Sequence, residues 1–300
     1  MLRSIVVGLD GSRESVAAAD WAAREAVRRG LTLRLVHAWE VVPGDDQPVS
    51  PAGLRIPQYW AGKALRTAQR QLVGRYPQLT ISAEQIRRPA VPALVTEGET
   101  AELLVLGNQG FGGLGGLLAG SVATAVVGQV RCPVVLVRAD ACGAGERLPE
   151  PEGSPSTRTP CRKVVLCVDV RNESDPLLEF AFEEAHLRRA PLRVVYAWQV
   201  SGARADRGRE SAARTVRSRE AGWALDAVLE PWREKFPDVE VRTRTAQGRP
   251  VREVLGAACG AGLLVVGRRV RHVPVGGRVG RVTHTAIHRA TCPVAVVAHD

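Results

Sequence analysis

Paired cysteines and long apolar runs are what this 300-residue chain lacks. Its six cysteines, Cys132, Cys142, Cys161, Cys167, Cys259 and Cys292, are scattered, with no C-x-x-C pair. That leaves no dithiol motif and no dense disulfide framework. Cys132, Cys167 and Cys292 sit in or beside apolar strand-like runs, where a free thiol behaves as a small hydrophobe. A reducing compartment fits this usage. No apolar stretch approaches the roughly 18–20 residues of a membrane span. The opening Met-Leu-Arg-Ser-Ile-Val-Val-Gly lacks a basic region followed by a long apolar stretch, so no signal peptide is expected. These absences point to a soluble cytoplasmic protein with no membrane partner.

What is present is ordinary globular material. Hydrophobic residues make up 45% and charged residues 24%, which excludes wholesale disorder, collagen and coiled coil. The length suggests about two domains at roughly 150 residues each. The net charge is +10 and uneven. Residues 1–160 hold 17 Lys+Arg against 15 Asp+Glu, and residues 161–300 hold 24 against 16. The basic excess therefore belongs to the second half. It fits either an anionic partner or a solvated arginine-rich surface.

An internal repeat explains the length. Ile5-Val-Val-Gly-Leu-Asp-Gly-Ser aligns with Val164-Val-Leu-Cys-Val-Asp-Val-Arg. Leu33-Arg-Leu-Val-His-Ala-Trp aligns with Leu192-Arg-Val-Val-Tyr-Ala-Trp. Leu103-Leu-Val-Leu-Gly matches Leu263-Leu-Val-Val-Gly, and Cys132-Pro-Val-Val-Leu-Val matches Cys292-Pro-Val-Ala-Val-Val. The offset is 159 or 160 throughout, the mark of a tandem domain duplication. The expected domains are 1–139 and 161–300. Between them, 140–160 is rich in Pro, Gly and Ser and reads as a linker.

Each copy alternates strand and helix signals. In the first, 4–9 reads as a buried strand, and Ser12 caps a helix ending at Gly30. Leu33–Trp39 is a second strand. A loop with Pro43, Pro48, Pro51 and Pro57 leads to a helix of about 58–75. A strand near 80–86, a helix near 91–100, a strand at 103–107, a glycine-rich loop, a helix from about 120 and a strand at 134–138 follow. In the second copy, Asp175 reads as a cap with Pro176 at the first helical position. Short apolar strands separated by helices imply a parallel sheet covered on both faces. Ligands of such sheets sit at the carboxyl ends of strands, near the switch in strand order. Trp21, Trp39, Trp198, Trp223 and Trp232 suit packing better than a base-stacking platform.

The strongest local signal runs from Gly107 to Ser121, a glycine-dense loop between a strand end and a helix start. Successive glycines let backbone N–H groups converge on an anion, and the following helix offers its free N–H donors. The same glycines also suit a flexible surface loop. A Walker A reading fails because no lysine precedes Ser121. Gly110-Phe-Gly112-Gly-Leu-Gly115 spells G-x-G-x-x-G, but it follows the fourth strand and the region near 135 is apolar.

These residues together resemble the universal stress protein family. The shared features are a strand ending in Asp10-Gly-Ser and the His37-Ala-Trp strand end. The pattern G-x2-G-x9-G-[S/T] is filled by Gly107, Gly110, Gly120 and Ser121, and the closing Cys132-Pro-Val-Val strand completes the set. The resemblance covers nearly the whole chain, twice. It implies two tandem doubly wound, Rossmann-like α/β domains with five-stranded parallel sheets in the order 3-2-1-4-5. The loop matches the branch of the family that holds ATP, with Mg²⁺. By that resemblance, Asp10 and the backbone at Ala38 lie by adenine and ribose. Leu106, Gly107 and Gly110 contact ribose and phosphate, and Gly120, Ser121 and Val122 hold the phosphates. Related domains pair through their last strands, so Val134–Val137 is expected to pair with Val294–Val297 within the chain, and a homodimer is open.

The second copy departs from the pattern. Val270 stands where the second glycine belongs, Arg281 where the serine belongs, and Val170 in place of Gly11. A β-branched valine suits positive φ poorly. This copy is expected to have lost the usual mode of ATP binding. Arg268, Arg269, Arg271, His272, Arg278 and Arg281 fit another anion, a reach toward the first copy, or plain solvation. His284, His288 and Cys292 fall at i, i+4 and i+8, but Pro293 ends the helix too early for a metal face. His37 reads as structural. No Ser-His-Asp set, Cys-His set or poised carboxylate pair is evident. The expectation is an ATP-binding stress-response module rather than an enzyme, acting on an unidentified regulatory protein. The alternatives are a slow ATPase and, less favoured, a nucleic-acid binder working through the basic half.

Overall fold

The computed structural model describes residues 3–40, 51–109, 120–140, 143–152, 154, 156, 158–172, 174–198, 207–270 and 279–300. For 51–57, 143–144 and 207–215 it describes the backbone alone. Two compact units divide the chain. One runs through Gly143, and the other holds Ala144–Arg269 and Gly280–Asp300.

The first unit contains β1 (Ser4–Gly8), α1 (Arg13–Arg29), β2 (Thr32–Trp39), α2 (Pro51–Arg75), β3 (Ile81–Arg87), α3 (Ala90–Gly98), β4 (Leu103–Gly107), α4 (Ser121–Gln129) and β5 (Val134–Val137). All neighbours pair in parallel in the order β3-β2-β1-β4-β5, as the family resemblance implies. Helices α1 and α2 cover one face, and α3 and α4 cover the other. This is the arrangement that right-handed crossovers impose. Ile5, Val6 and Val7 of β1 and Leu103, Leu104 and Val105 of β4 are fully buried, since layers lie on both sides. Chain order reverses direction between β1 and β4, so the carboxyl ends of these two strands flank a crevice.

Helix α1 shows why the local elements form. The Ser12 Oγ accepts the Ser15 N–H at 3.1 Å, and Gly30 ends the helix in the left-handed region at φ 64°. Its inner stripe of Ala18, Ala19, Trp21, Ala22, Ala23 and Ala26 is buried, and the small residues let helix and sheet approach closely. Asp20 on its outer side ties α1 to the end of α2. It accepts from Arg75 Nη1 at 2.6 Å and from the Tyr76 hydroxyl at 3.0 Å, and it pairs with Arg24.

The second unit repeats the plan with β6 (Val164–Val168), α5 (Asp175–Arg188), β7 (Leu192–Trp198), α6 (Arg207–Lys235), β8 (Val241–Gln247), α7 (Pro250–Ala258), β9 (Leu263–Arg269), α8 (Arg281–Arg289) and β10 (Val294–His299). Its order is β8-β7-β6-β9-β10, again parallel.

Four sequence expectations change. Helix α2 starts at Pro51, so Pro51 and Pro57, expected in a loop, lie inside it. Pro51 opens the first turn, where a missing N–H has no partner, whereas Pro57 lies a turn further in and gives up one intrahelical bond. The cap of α5 is Ser174, one residue before the expected Asp175, which places Pro176 at the second helical position. Trp223 does not pack but is 71% exposed. It precedes the fully buried Leu225 by two residues, about 200° around the helix from that inner stripe. The segment 140–160 is more than a tether. Glu146 O accepts the Arg162 N–H at 2.7 Å, Arg147 bridges antiparallel to Cys161, and the Ser156 hydroxyl donates to Glu150 Oε1 at 2.5 Å.

Candidate functional site

The β1–α1 turn brings a carboxylate to the crevice. Gly11 takes φ 84°, a region that L side chains rarely occupy, and so lets the chain turn sharply after Asp10. Asp10 Oδ1 accepts the Ser12 N–H at 2.9 Å. The Asp10 N–H points to the Ser15 hydroxyl at 3.4 Å, and that hydroxyl donates to the Ser12 carbonyl at 3.0 Å. Partial burial opposes the charge of Asp10, but hydrogen bonds led by those from Ser12 outweigh it. They hold the carboxyl below its ordinary range.

A cavity of about 230 Å³ lies at this crevice. Asp10 lines it from the β1 turn, Ala38 from β2, and Leu106 and Gly107 from β4. Gly120, Ser121 and Val122 close it from the start of α4. Gly107 has a packing reason to be glycine: a Cβ there would lie 2.7 Å from the Ser15 backbone nitrogen. Its absence lets β4 run directly under the first turn of α1. Gly120 has a conformational reason, with φ 89° as the residue before α4. Gly120 offers no side chain to cap α4, and Ser121, Val122 and Ala123 of its first turn line the cavity.

The structure thus gathers seven of the eight residues singled out from sequence around one cavity. Gly110, the eighth, lies outside the described residues, as do Arg271, His272 and Arg278. His37 lies elsewhere. Successive strand residues face opposite sides, so Val36 and Ala38 line this cavity while His37 and Trp39 line a second one of about 580 Å³ beneath α2. Burial pushes the His37 imidazole below its usual range, against the pull of Asp10. Sequence reasoning missed the α2 wall of that second cavity. The only signal was the small-residue spacing Ala61, Ala64, Ala68 along a helix.

The matching corner of the second unit is built differently. Arg171 reaches back to Asp169, with Nε 3.2 Å from Oδ1, and Asn172 Nδ2 donates to Oδ2 at 2.9 Å. Asn172 Oδ1 in turn accepts from Arg269. Gly280 takes φ −61°, not the left-handed conformation of Gly120. Gly267 faces the His299 ring, and a Cβ there would lie 2.6 Å from Nε2. The Thr283 hydroxyl donates to the Gly267 carbonyl at 2.7 Å. Val170 is not in the left-handed region that Gly11 occupies, so the turn itself has a different course.

Other candidate chemistry is not assembled. Burial pushes the Cys132 thiol up to about 11 and those of Cys167 and Cys292 up to about 12, away from thiolate reactivity. His284 and His288 lie side by side on α8 with ring centroids 4.4 Å apart and planes tilted by 58°, while Cys292 lies beyond the helix end. Among the described residues, no three His, Cys, Asp or Glu groups come together as a metal site. No helix among them is long and apolar enough to cross a membrane.

Fold and site define a tandem doubly wound α/β protein with a cavity at the strand-order switch of its first unit. The chain belongs to the universal stress protein family, whose family model matches residues 1–138 and 160–298. Curated relatives carry the same double length. A universal stress protein of Mycobacterium tuberculosis is 31% identical over 97% of this chain and 96% of its own. One from Mycolicibacterium smegmatis is 32% identical over 98% of this chain and 96% of its own. Among solved structures, a universal stress protein from Archaeoglobus fulgidus superposes with a TM-score of 0.64. It covers 99% of this chain and 98% of its own at 14% identity, a likeness of fold.

Proposed function

We propose that the first unit binds ATP, with Mg²⁺, and that the protein works as a nucleotide-responsive module rather than as an enzyme. The observation that carries this reading is the convergence of Asp10, Gly107 and the Gly120–Ser121 helix start on one cavity. A side chain at 107 would collide with the first turn of α1 and one at 120 would be strained, so both positions call for glycine beside the helix start that would meet phosphate. Asp10 is held ionised and receives only main-chain and hydroxyl hydrogen bonds within its turn, which leaves acceptor capacity for ribose or adenine donors. Leu106 and the Ala38 backbone suit the nucleoside end. Ser121 and the N–H groups at Ser121 and Val122 suit the phosphates. Magnesium carried by phosphates keeps several waters and needs no protein cage of its own.

The second unit is read as silent toward ATP. There the aspartate is taken by Arg171 and Asn172, and the glycine cap conformation is missing. Occupancy of the first unit would change the surface offered to a regulatory protein partner. Asp10, assigned here to the nucleoside, and Glu14 are the carboxylates that line the first cavity among the described residues, and this reading gives neither the place of a base at a phosphate.

The test is to denature the purified full-length protein, or protein desalted after incubation with Mg-ATP, and to quantify released nucleotide by chromatography. One adenine nucleotide per chain is expected. Two per chain would overturn the assignment of the second unit. None, together with blank calorimetry, would overturn the assignment of the first.

A further inference from the structure

We propose that the cavity beneath α2 is a second binding site, for an uncharged, flat, fused-ring molecule bearing a hydroxyl, of the polycyclic phenol class. The cavity lies within the first unit, under the opposite sheet face from the proposed nucleotide site; Leu9 and Asp10 border both, but the proposal does not depend on that reading.

The argument starts from volume. About 580 Å³ is in the range of small-molecule sites. The space exists because α2 turns Ala61, Ala64 and Ala68 toward the sheet at helical spacing, where larger aliphatic residues would fill it. Ala64 comes near Gly11, whose Cβ would be only 3.9 Å away, so the alanines hold the inner end open but narrow. Trp39 on the floor and Trp60 on the wall supply broad apolar faces. Trp60 is 57% exposed, a large apolar surface only partly covered by the edge-on Tyr59 ring and by Lys63.

The polar groups choose among aromatic ligands. The Nδ1 of His37 is buried and has no hydrogen-bond partner among the described residues. Leaving it so costs free energy, which a ligand hydroxyl would recover once the ring turns to present that nitrogen to the cavity. A hydroxyl both donates and accepts, so it satisfies either imidazole tautomer. Asp10 and Glu40 also line the cavity and disfavour an anion. A cation is disfavoured because both indole rings already carry one. Lys63 Nζ lies 4.9 Å from the Trp60 centroid, and the Arg87 guanidinium carbon 5.8 Å from that of Trp39.

The experiment titrates 2-naphthol into the nucleotide-free full-length protein by calorimetry, with 2-methoxynaphthalene and 2-naphthoate as comparisons. One 2-naphthol per chain is expected, with the methyl ether about fivefold weaker or worse and the carboxylate weaker still. Ala64→Phe fills the inner cavity and should weaken binding at least tenfold. Thr67→Trp, at an exposed rim position, should weaken it as well, and it keeps the test alive should Ala64→Phe unfold. His37→Phe should remove the preference for the hydroxyl over the ether. Added Mg-ATP should not displace the naphthol. The proposal fails on absent binding, on affinity equal in all three variants, on tighter binding of the carboxylate, or on stoichiometric displacement by ATP.

Discussion

Arg171 lies across Asp169, its Nε 3.2 Å from Oδ1, whereas Asp10 accepts the Ser12 backbone N–H at 2.9 Å in the equivalent turn. One duplicated carboxylate is therefore neutralised by its own loop and the other is left with acceptor capacity. Asp10→Ala should weaken ATP by roughly 10–100-fold, the worth of a hydrogen bond to a charged group. Asp169→Ala should leave ATP affinity unchanged. Calorimetry on both variants checks this, and equal losses would place the nucleotide in the wrong unit.

The two glycines of the first site should fail in different ways. Gly107→Ala forces a Cβ to within 2.7 Å of the Ser15 backbone nitrogen, which cannot yield as a side-chain tip would. A cost of about 1–3 kcal/mol is expected, like other overpacking. Gly120→Val places its Cβ in ordinary contact with Asn108 Oδ1 at 3.5 Å but at a φ of 89°, so it should lose nucleotide binding with a smaller fall in stability. Thermal melts with and without ATP separate the two outcomes.

His37 should make the first unit acid-sensitive. Its folded imidazole is pushed below the ordinary 6.5 by burial. The unfolded chain therefore takes up the proton first, and the stabilising contribution is present above about pH 6.5 and lost as pH falls through the lower folded value. Urea midpoints should decline over that window. His37→Phe should flatten the decline, and an unchanged slope would assign it elsewhere.

Asp20 should matter for stability and not for ligand. Burial raises its proton affinity, but Arg24 and the hydrogen bonds from Arg75 and Tyr76 outweigh that and hold the carboxyl below 3.8. Its contribution is present above about pH 4 and lost as pH falls further. Asp20→Ala removes the acceptor of Arg75 and Tyr76 together. A loss of about 1–2 kcal/mol is expected in chemical denaturation at pH 7, with ATP affinity intact.

Much of this was legible in the sequence because it is local or repeated. The 159–160 offset exposed the duplication, and buried apolar runs such as Ile5-Val-Val located strands whose parallel pairing follows from the intervening helices. Gly107, Gly120 and Asp10 stood out because turns and close approaches need those residue types. Boundaries set by proline did not hold, since Pro51 starts a helix rather than lying in a loop.

Tertiary structure alone decided the rest. That Arg171 would close on Asp169 depends on a turn whose course changed when Gly11 became Val170. That His37 would lie under α2 with an unpartnered nitrogen depends on which strand face the helix covers and on three alanines leaving space there. Periodicity fixes which residues share a face, because it is a property of the local backbone. Whether a packed face is filled, charged or hollow depends on side chains that meet from distant parts of the chain.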